Sequence, residues 1–241
     1  MLQQTALTTF DSRVSAPEGM VYSTSPYVAL GEDGISYFVK GPEPEVVFAE
    51  LTGCLLAREA GLVVPDVAVC TFSEERYCGS RSVAGAMRNV APWLKQPQKV
   101  SNLADLYKVI VVDAWLANDD RNIGNVLARP LRRSQVELVM IDFERSKTLR
   151  PKPIVTSTMV EARRLWPTGE LGHALRAQKP IFGPQMTMDK VRGITRDRCA
   201  EIITEVVEGL GPVDWSENSI EAVSRRAMRI EEIVGEIWTQ N

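Results

Sequence analysis

The chain has 241 residues, 44% of them hydrophobic, and this length allows one large domain or two small lobes with a proper core. A formal net charge of −3 at pH 7 excludes a general nucleic-acid-binding protein, because such proteins need a cationic face. Four cysteines without metal-ligand spacing and a single histidine make a zinc site unexpected.

The first ninety residues have the pattern of a small sheet with one helix. A β-hairpin is predicted over Val21–Lys40, where β-branched and aromatic residues flank an Asp-Gly turn. A helix is predicted from about Glu45 to Gly61, because apolar residues recur there at helical spacing. Strands are then expected around residues 63–69, with a proline near one end, and around 76–82. A connection rich in Gly and Pro follows to about Pro97, and it is the best boundary between two lobes.

The rest of the chain is predicted to be mostly helical. An apolar helix is expected after an N-cap at Ser101 or Asn102, and it leads directly into a polar loop at residues 118–125. Two strands are expected at 126–128 and 136–141, joined by a basic turn. The chain is punctuated by prolines from Arg150 to Pro184, and helices are expected at about 195–209 and 217–239.

Two polar segments that follow apolar elements carry most of the functional information. Asp120 and Asn125 are five residues apart, as are the aspartate and asparagine of the H-R-D-x-x-x-x-N catalytic loop of protein kinases. Asp142-Phe143 follows an apolar strand at the place of the metal-binding D-F-G aspartate. Asp113, ahead of the loop, is expected to brace it through hydrogen bonds to the backbone or to Arg121. The order of these segments predicts a phosphoryl-transfer site.

Phosphoryl transfer depends mainly on positioning and on neutralising charge. Asp120 is predicted to orient the acceptor hydroxyl and to accept its proton. Asn125 and Asp142 offer oxygen ligands for Mg²⁺. Lys40, at the end of a strand, is predicted to hold the α- and β-phosphates of ATP, and Glu50 on the next helix to pair with its ammonium group. Each residue alone has an ordinary explanation as a turn, a cap or a surface charge. Their joint order is what favours the kinase interpretation.

These residues also resemble a known family. The segment from Asp113 to Leu127, followed by Ile141-Asp142, resembles the signature of the HipA-like kinases, particularly their short stand-alone branch. The segment Glu50–Pro65 resembles the first helix and following strand of that family. The loop is also similar to that of phosphatidylinositol kinases, which share the distant protein-kinase-like fold. The resemblance covers about residues 20–145.

The resemblance implies an ATP- and Mg²⁺-dependent kinase, commonly of serine or threonine hydroxyls, and some members of the family are bacterial growth-inhibiting toxins. It implies an α+β, two-lobed protein-kinase-like fold. Residues 1–90 are expected to form a lobe with a small antiparallel sheet plus a helix, and residues 91–241 a mostly helical lobe. ATP is expected between the lobes, with adenine near Ser82–Ala86.

The sequence departs from the protein-kinase pattern in several places. No histidine precedes Asp120, and Phe143 is followed by Glu144 instead of glycine, which makes a backbone flip there less favourable. No G-x-G-x-x-G loop covers the phosphates. The corresponding loop holds Ser23, Thr24 and Ser25, which are predicted to contact the nucleotide and to be a site of regulatory self-phosphorylation. A solvated turn explains the same three residues equally simply.

Two other functions remain open on the sequence alone. One is a small-molecule or lipid kinase with the same site, although the absence of a basic or amphipathic membrane segment argues mildly against lipids. The other is a pseudokinase or partner-binding module, against which the presence of all five expected catalytic residues argues. Few, scattered cysteines and no recognisable signal peptide favour a cytoplasmic protein without a membrane partner, acting on a protein substrate.

Overall fold

The computed structural model describes residues 2–13, 26–155, 171–172, 175 and 184–240. The strands are β1 (Gln3–Arg13), β2 (Tyr27–Gly31), β3 (Ser36–Lys40), β4 (Val67–Phe72), β5 (Glu75–Arg81), β6 (Val126–Pro130) and β7 (Val136–Met140). The α-helices are α1 (Pro44–Glu59), α2 (Ala91–Leu94), α3 (Asp105–Leu116), α4 (Gln185–Gly193), α5 (Arg196–Leu210), α6 (Ser216–Met228) and α7 (Ile230–Gln240). The predicted α+β fold is confirmed.

The first five strands form a closed barrel in the order β1-β2-β3-β5-β4. All neighbours are antiparallel except β1 and β4, which run parallel, so the sheet is not wholly antiparallel as predicted. The predicted hairpin is present as β2 and β3. Its turn includes Gly34 at φ +74° and the Asp33 side chain, which accepts a hydrogen bond from the Ile35 amide at 2.9 Å. The hairpin places Lys40 at the end of β3.

Helix α1 lies between the barrel and the C-terminal helices. It begins at Pro44, whose missing N–H costs nothing in the first turn, and it is followed by Gly61 at φ +88°. The helix packs against β4 and β5 and against α5. Its residues from Val47 to Cys54 are therefore all buried, including the carboxylate-bearing Glu50. A buried charge on this helix needs a partner.

Helix α3 is the centre of the second half of the molecule and ends at the predicted catalytic loop. Trp115 is fully buried, and its indole donates to the Val223 carbonyl at 2.8 Å. Arg226, on α6, is also buried and donates to the carbonyls of Ala114 and Trp115. These bonds satisfy carbonyls that the end of a helix leaves without partners. Helix α6 thus holds the end of α3, and with it the start of the loop.

Several element boundaries differ from the sequence prediction. Strand β4 begins at Val67, beyond Pro65, instead of at residue 63. The predicted N-cap at Ser101 or Asn102 is wrong, because Asn102 exchanges two hydrogen bonds with the Leu138 backbone, at 2.7 and 2.8 Å, and α3 begins at Asp105. The helix predicted over 217–239 is two helices, α6 and α7, separated at Arg229. Strand β1 and helix α4 were not predicted.

One hydrophobic cluster continues through both halves of the described chain. It contains residues from α1, β4 and β5 together with residues from α3 and the C-terminal helices. The predicted boundary between residues 90 and 91 remains a prediction. Among the described residues, no helix combines the length and the apolar character needed to cross a membrane.

Candidate active site

A cavity of about 520 Å³ is lined by barrel strands, by α1 and by the hairpin β6–β7 with its adjoining loops. Phe38 and Lys40 both line it, and they point to the same face of β3 because they are two residues apart. Lys40 marks a polar end, shared with Glu50, Asp120, Asn125 and Asp142. Further lining residues are Ser82, Val83, Gly85, Ala86, Arg88, Leu127 and Ile141. This volume and this mixture of lining groups suit a small-molecule ligand.

The catalytic loop is built around a buried ion pair. Arg121 and Asp113 are almost fully buried, and the guanidinium donates to the two carboxylate oxygens at 2.8 and 3.0 Å. The same guanidinium donates to the carbonyls of Asn125 and Ile141, at 3.1 and 2.6 Å. The prediction that Asp113 braces the loop through Arg121 is therefore confirmed. The pair also connects the loop to the chain that follows β7.

Asn122 shapes the short turn between Asp120 and Asn125. Its side chain donates to the Asp120 carbonyl at 2.9 Å and accepts from the Gly124 amide at 2.8 Å. The Asn122 amide donates to the Asn125 Oδ1 at 2.9 Å, which completes a reciprocal cap of one helical turn, Ile123–Asn125. Local side-chain-to-backbone bonds of this kind explain why the segment is so rich in Asn and Asp.

Asp120 lies at the rim of the polar end and is partly buried. Burial raises the pKa of its carboxyl, and the negative charge of Asp142 raises it further. The guanidinium of Arg145 acts in the opposite direction. A carboxylate whose pKa is raised is a stronger base than an ordinary aspartate, as a proton acceptor at an active site requires.

Asp142 and Asn125 are in direct contact. The Asn125 amide nitrogen donates to Asp142 Oδ2 at 2.6 Å, while its oxygen accepts the Asn122 amide. Asp142 has φ +71°, a left-handed conformation that aspartate tolerates better than most residues and that recurs at functional sites. The structure thus brings the two predicted metal ligands together. In this arrangement the Asn125 oxygen already has a hydrogen-bond partner.

Lys40 is surrounded by three carboxylates. Its ammonium nitrogen lies 2.7 Å from Asp142 Oδ1, 3.3 Å from Glu50 Oε2 and 3.1 Å from Glu144 Oε2. Burial alone lowers the pKa of Lys40, but the charges of Asp142, Glu50 and Glu144 together raise it well above its ordinary value. The lysine is therefore a permanent cation at the polar end of the cavity.

The pKa values of Glu50 and Asp142 shift in opposite directions, because the groups around the two carboxyls differ. Burial raises the pKa of Glu50, against the effect of Lys40. Burial also raises the pKa of Asp142, but Lys40, Arg121 and the Asn125 hydrogen bond outweigh it, and the net direction is downward. Glu50 in addition accepts the Phe143 amide at 2.8 Å, so it contacts both the lysine and the segment that carries Asp142.

The oxygen atoms at this end of the cavity are of the type that Mg²⁺ prefers. One oxygen from each of Glu50, Asp142 and Glu144 lies within 4.8 Å of the others. Asp142 has 20% of its side chain exposed, against 2% and 3% for the two glutamates. Asp142 would therefore hold a metal ion beside a nucleotide in the cavity, with Asn125 next to it. The donor set fits the predicted metal.

The structure brings together five of the predicted site residues and adds one. Lys40, Glu50, Asp120, Asn125 and Asp142 all line the same cavity. Ser23, Thr24 and Ser25 lie outside the described residues. Sequence reasoning missed that Glu144 contacts Lys40, although a signal was present. That signal is an acidic residue directly after Asp142-Phe143, where the protein-kinase motif has glycine.

Comparison with known proteins agrees with this geometry. The chain resembles the crystal structure of the Helicobacter pylori proinflammatory kinase CtkA, with a TM-score of 0.54, 13% sequence identity and full coverage of both chains. This likeness shows a kinase-type fold. A search of the curated proteins found no match.

Two further solved structures are similar at lower scores. One is HipA of Shewanella oneidensis in its complex with HipB and operator DNA, with a TM-score of 0.46, 14% identity, and coverage of 94% of this chain and 66% of that one. The other is the Rio2 kinase of Chaetomium thermophilum, with a TM-score of 0.48, 14% identity, and coverage of 92% and 72%.

The family model of the HipA-like kinases matches residues 18–147, from the start of the predicted nucleotide loop to the segment after Asp142. The match covers more than half of the chain and includes every residue of the site described above. The protein therefore belongs to the HipA-like kinase family and is a phosphotransferase of the kinase type.

Proposed function

We propose that the protein transfers the γ-phosphoryl group of ATP, in the presence of Mg²⁺, to a serine or threonine hydroxyl of a protein. One observation carries the proposal. Lys40, Glu50, Asp120, Asn125 and Asp142, which are up to about a hundred residues apart in sequence, line one cavity, which supports a joint role in phosphoryl transfer.

Each residue has a part in the proposed reaction. The acceptor oxygen forms a bond to the γ-phosphorus as the bond from phosphorus to the bridging oxygen of ADP breaks. Asp120 orients the acceptor and takes its proton, supported by its raised pKa. Lys40 neutralises the non-transferred phosphates, and Glu50 keeps it in place. Asp142 and Asn125 hold Mg²⁺, which supplies positive charge to the phosphate oxygens.

We propose that the adenine of ATP binds in the same cavity and that the loop with Ser23, Thr24 and Ser25 lies beside its phosphates. Ser82, Val83, Gly85 and Ala86 line the cavity, in support of an adenine site at Ser82–Ala86. Ser23, Thr24 and Ser25 directly precede Pro26, which also lines the cavity. We propose that they contact the phosphates and are modified by the enzyme itself. Peptide mass spectrometry after incubation with Mg²⁺-ATP checks this, and unmodified residues 20–30 in an active preparation would contradict it.

We further propose a cytoplasmic location. The four cysteines are buried free thiols, as expected in a reducing compartment.

Some HipA-like kinases inhibit bacterial growth. Expression of this protein beside its Asp120→Asn variant tests that role, because only the active form should arrest growth.

The experiment that tests the reaction is transfer of labelled γ-phosphate in a host lysate. The wild type should label proteins, whereas Asp120→Asn should bind nucleotide within a few-fold of the wild type and transfer about 10²–10⁴ times more slowly. Asp66→Asn, the same change on an exposed residue, is the control. Label in lipid or small metabolites would assign another acceptor class. Nucleotide binding without any transfer would indicate a pseudokinase.

A further inference from the structure

Glu144 occupies a place where the protein-kinase D-F-G motif has glycine, yet it is as buried as the residues of the site. It is 3% exposed, and its Oε2 lies 3.1 Å from the Lys40 ammonium. Glu50 reaches the same nitrogen from α1 at 3.3 Å. Lys40 thus has two buried glutamate partners, one on α1 and one in the segment after β7.

A buried glutamate beside two other carboxylates is costly for the fold. Removing a charge from water is unfavourable even after relaxation, and repulsion between like charges at short range adds to this cost. Lys40 forms ion pairs with all three carboxylates and so offsets part of this cost. The main chain of Glu144 is also held, because the Arg150 guanidinium donates to its carbonyl. Glu144 is therefore held at its side chain by Lys40 and at its main chain by Arg150.

Each of the three residues from Asp142 to Glu144 contacts either Lys40 or Glu50. Asp142 and Glu144 contact Lys40 through their carboxylates, and the Phe143 amide donates to Glu50. If Asp142 turns to a metal ion, it gives up its contact with Lys40. Glu144 and Glu50 can then still hold the lysine in place.

We propose that Glu144 is a positioning residue for Lys40 that shares this task with Glu50. The inference rests on the proposed nucleotide-binding role of Lys40. In a kinase with a single glutamate partner, loss of that partner releases the lysine. Here either glutamate keeps the ammonium near the phosphates, so removing one has a limited effect and removing both has a large one.

The test compares Glu50→Gln, Glu144→Gln and the double variant. Each single change should lower kcat by no more than roughly 10-fold, the lower end of the effect of losing a supporting contact, because the other glutamate still holds Lys40. The double variant should be at least about fivefold slower than the product of the two single effects, because two parallel contacts are lost together. Glu144→Asp should be faster than Glu144→Gln. Glu137→Gln, whose partner is Arg129, is the matched control. Simple multiplication, or an unchanged rate in Glu144→Gln, would refute the proposal.

A second measurement does not depend on turnover. Hydrogen exchange of the Phe143 amide, without nucleotide or metal, should be faster in Glu144→Gln than in the wild type, because one attachment of the segment is lost. In a Lys40→Met background the same substitution should change nothing further. Faster exchange that persists in that background would mean that Glu144 acts without Lys40. If the wild type neither binds nor uses Mg²⁺-ATP, the proposed function fails, and the exchange experiment still decides the role of Glu144.

Discussion

Gly53 offers a direct test of how closely α1 approaches the segment Asp142–Phe143, which is proposed to bind the metal. A Cβ added at this position would lie 2.5 Å from the Cβ of Phe143, 3.3 Å from its Cγ and 3.5 Å from its carbonyl oxygen. A contact of 2.5 Å between two carbons that are attached directly to backbones cannot be relieved by a side-chain rotation. The Gly53→Ala substitution therefore has to move either the helix or the segment Asp142–Phe143.

The expected magnitude follows from two opposing effects. Alanine is better than glycine in a helix interior by about 0.8–1 kcal/mol. Forcing an extra methyl group into a packed core costs about 1–3 kcal/mol. Gly235→Ala, in α7, is the matched control, since an added Cβ there has no neighbour within 4 Å among the described residues. The helix effect is common to both variants, so Gly53→Ala should be less stable than Gly235→Ala by about 1–3 kcal/mol.

Denaturant unfolding of both variants measures this difference. In thermal unfolding each kcal/mol should correspond to about 2–4 °C for a chain of this size. Gly53→Ala should also lower kcat by roughly 10-fold or more, because displacement of Phe143 moves Asp142, and errors of about 1 Å can cost 10²-fold. Gly235→Ala should keep full activity. Equal stability of the two variants would show that α1 and the segment are not in close contact, and the reasoning would fail.

Three further predictions concern the polar residues. Asp142→Ala should abolish Mg²⁺-dependent transfer and leave the circular dichroism spectrum unchanged; turnover at the parental rate would remove Asp142 from the site. Asp113→Asn should lower the free energy of unfolding by about 3–5 kcal/mol, because it leaves the buried Arg121 charge without its partner, whereas the exposed Asp66→Asn should cost at most about 1 kcal/mol. Burial and the charge of Asp142 raise the pKa of Asp120 above its ordinary value of 3.8. As the pH falls, Asp120 should therefore be protonated, and kcat/KM should decrease, at a pH above 3.8. A pH profile of kcat/KM in which the acid limb lies at or below 3.8 would contradict that shift.

The sequence predicted elements whose signals are local. The hairpin β2–β3 has an Asp-Gly turn, and α1 has a proline at its start and Gly61 after its end. Strand β1 was missed because its signal is not local. It is a polar stretch, and it is a strand through its pairing with β2 and, about sixty residues along the chain, with β4. The break between α6 and α7 was missed because neither proline nor glycine marks it.

The site was predictable to the extent that its chemistry follows a linear order. Asp120, Asn125 and Asp142 could be recognised because their spacing and the apolar elements before them repeat a known pattern. The brace between Asp113 and Arg121 was also predictable. The sequence left open whether Asp113 bonds the loop backbone or Arg121, because burial cannot be read from it, and the structure shows an almost completely enclosed pair with Arg121.

The partners of Lys40 were harder to predict, for a physical reason. A lysine accepts any carboxylate at a suitable distance, so sequence order cannot show how many will reach it. The fold decides this. Phe143 is fully buried and lies under Gly53, and the carboxylates of its two neighbours, Asp142 and Glu144, both contact Lys40. The close approach of Gly53 on α1 thus fixes the position of the residue between these two acidic side chains. A larger residue at position 53 should weaken the ion pairs of Lys40 as well as the packing of Phe143.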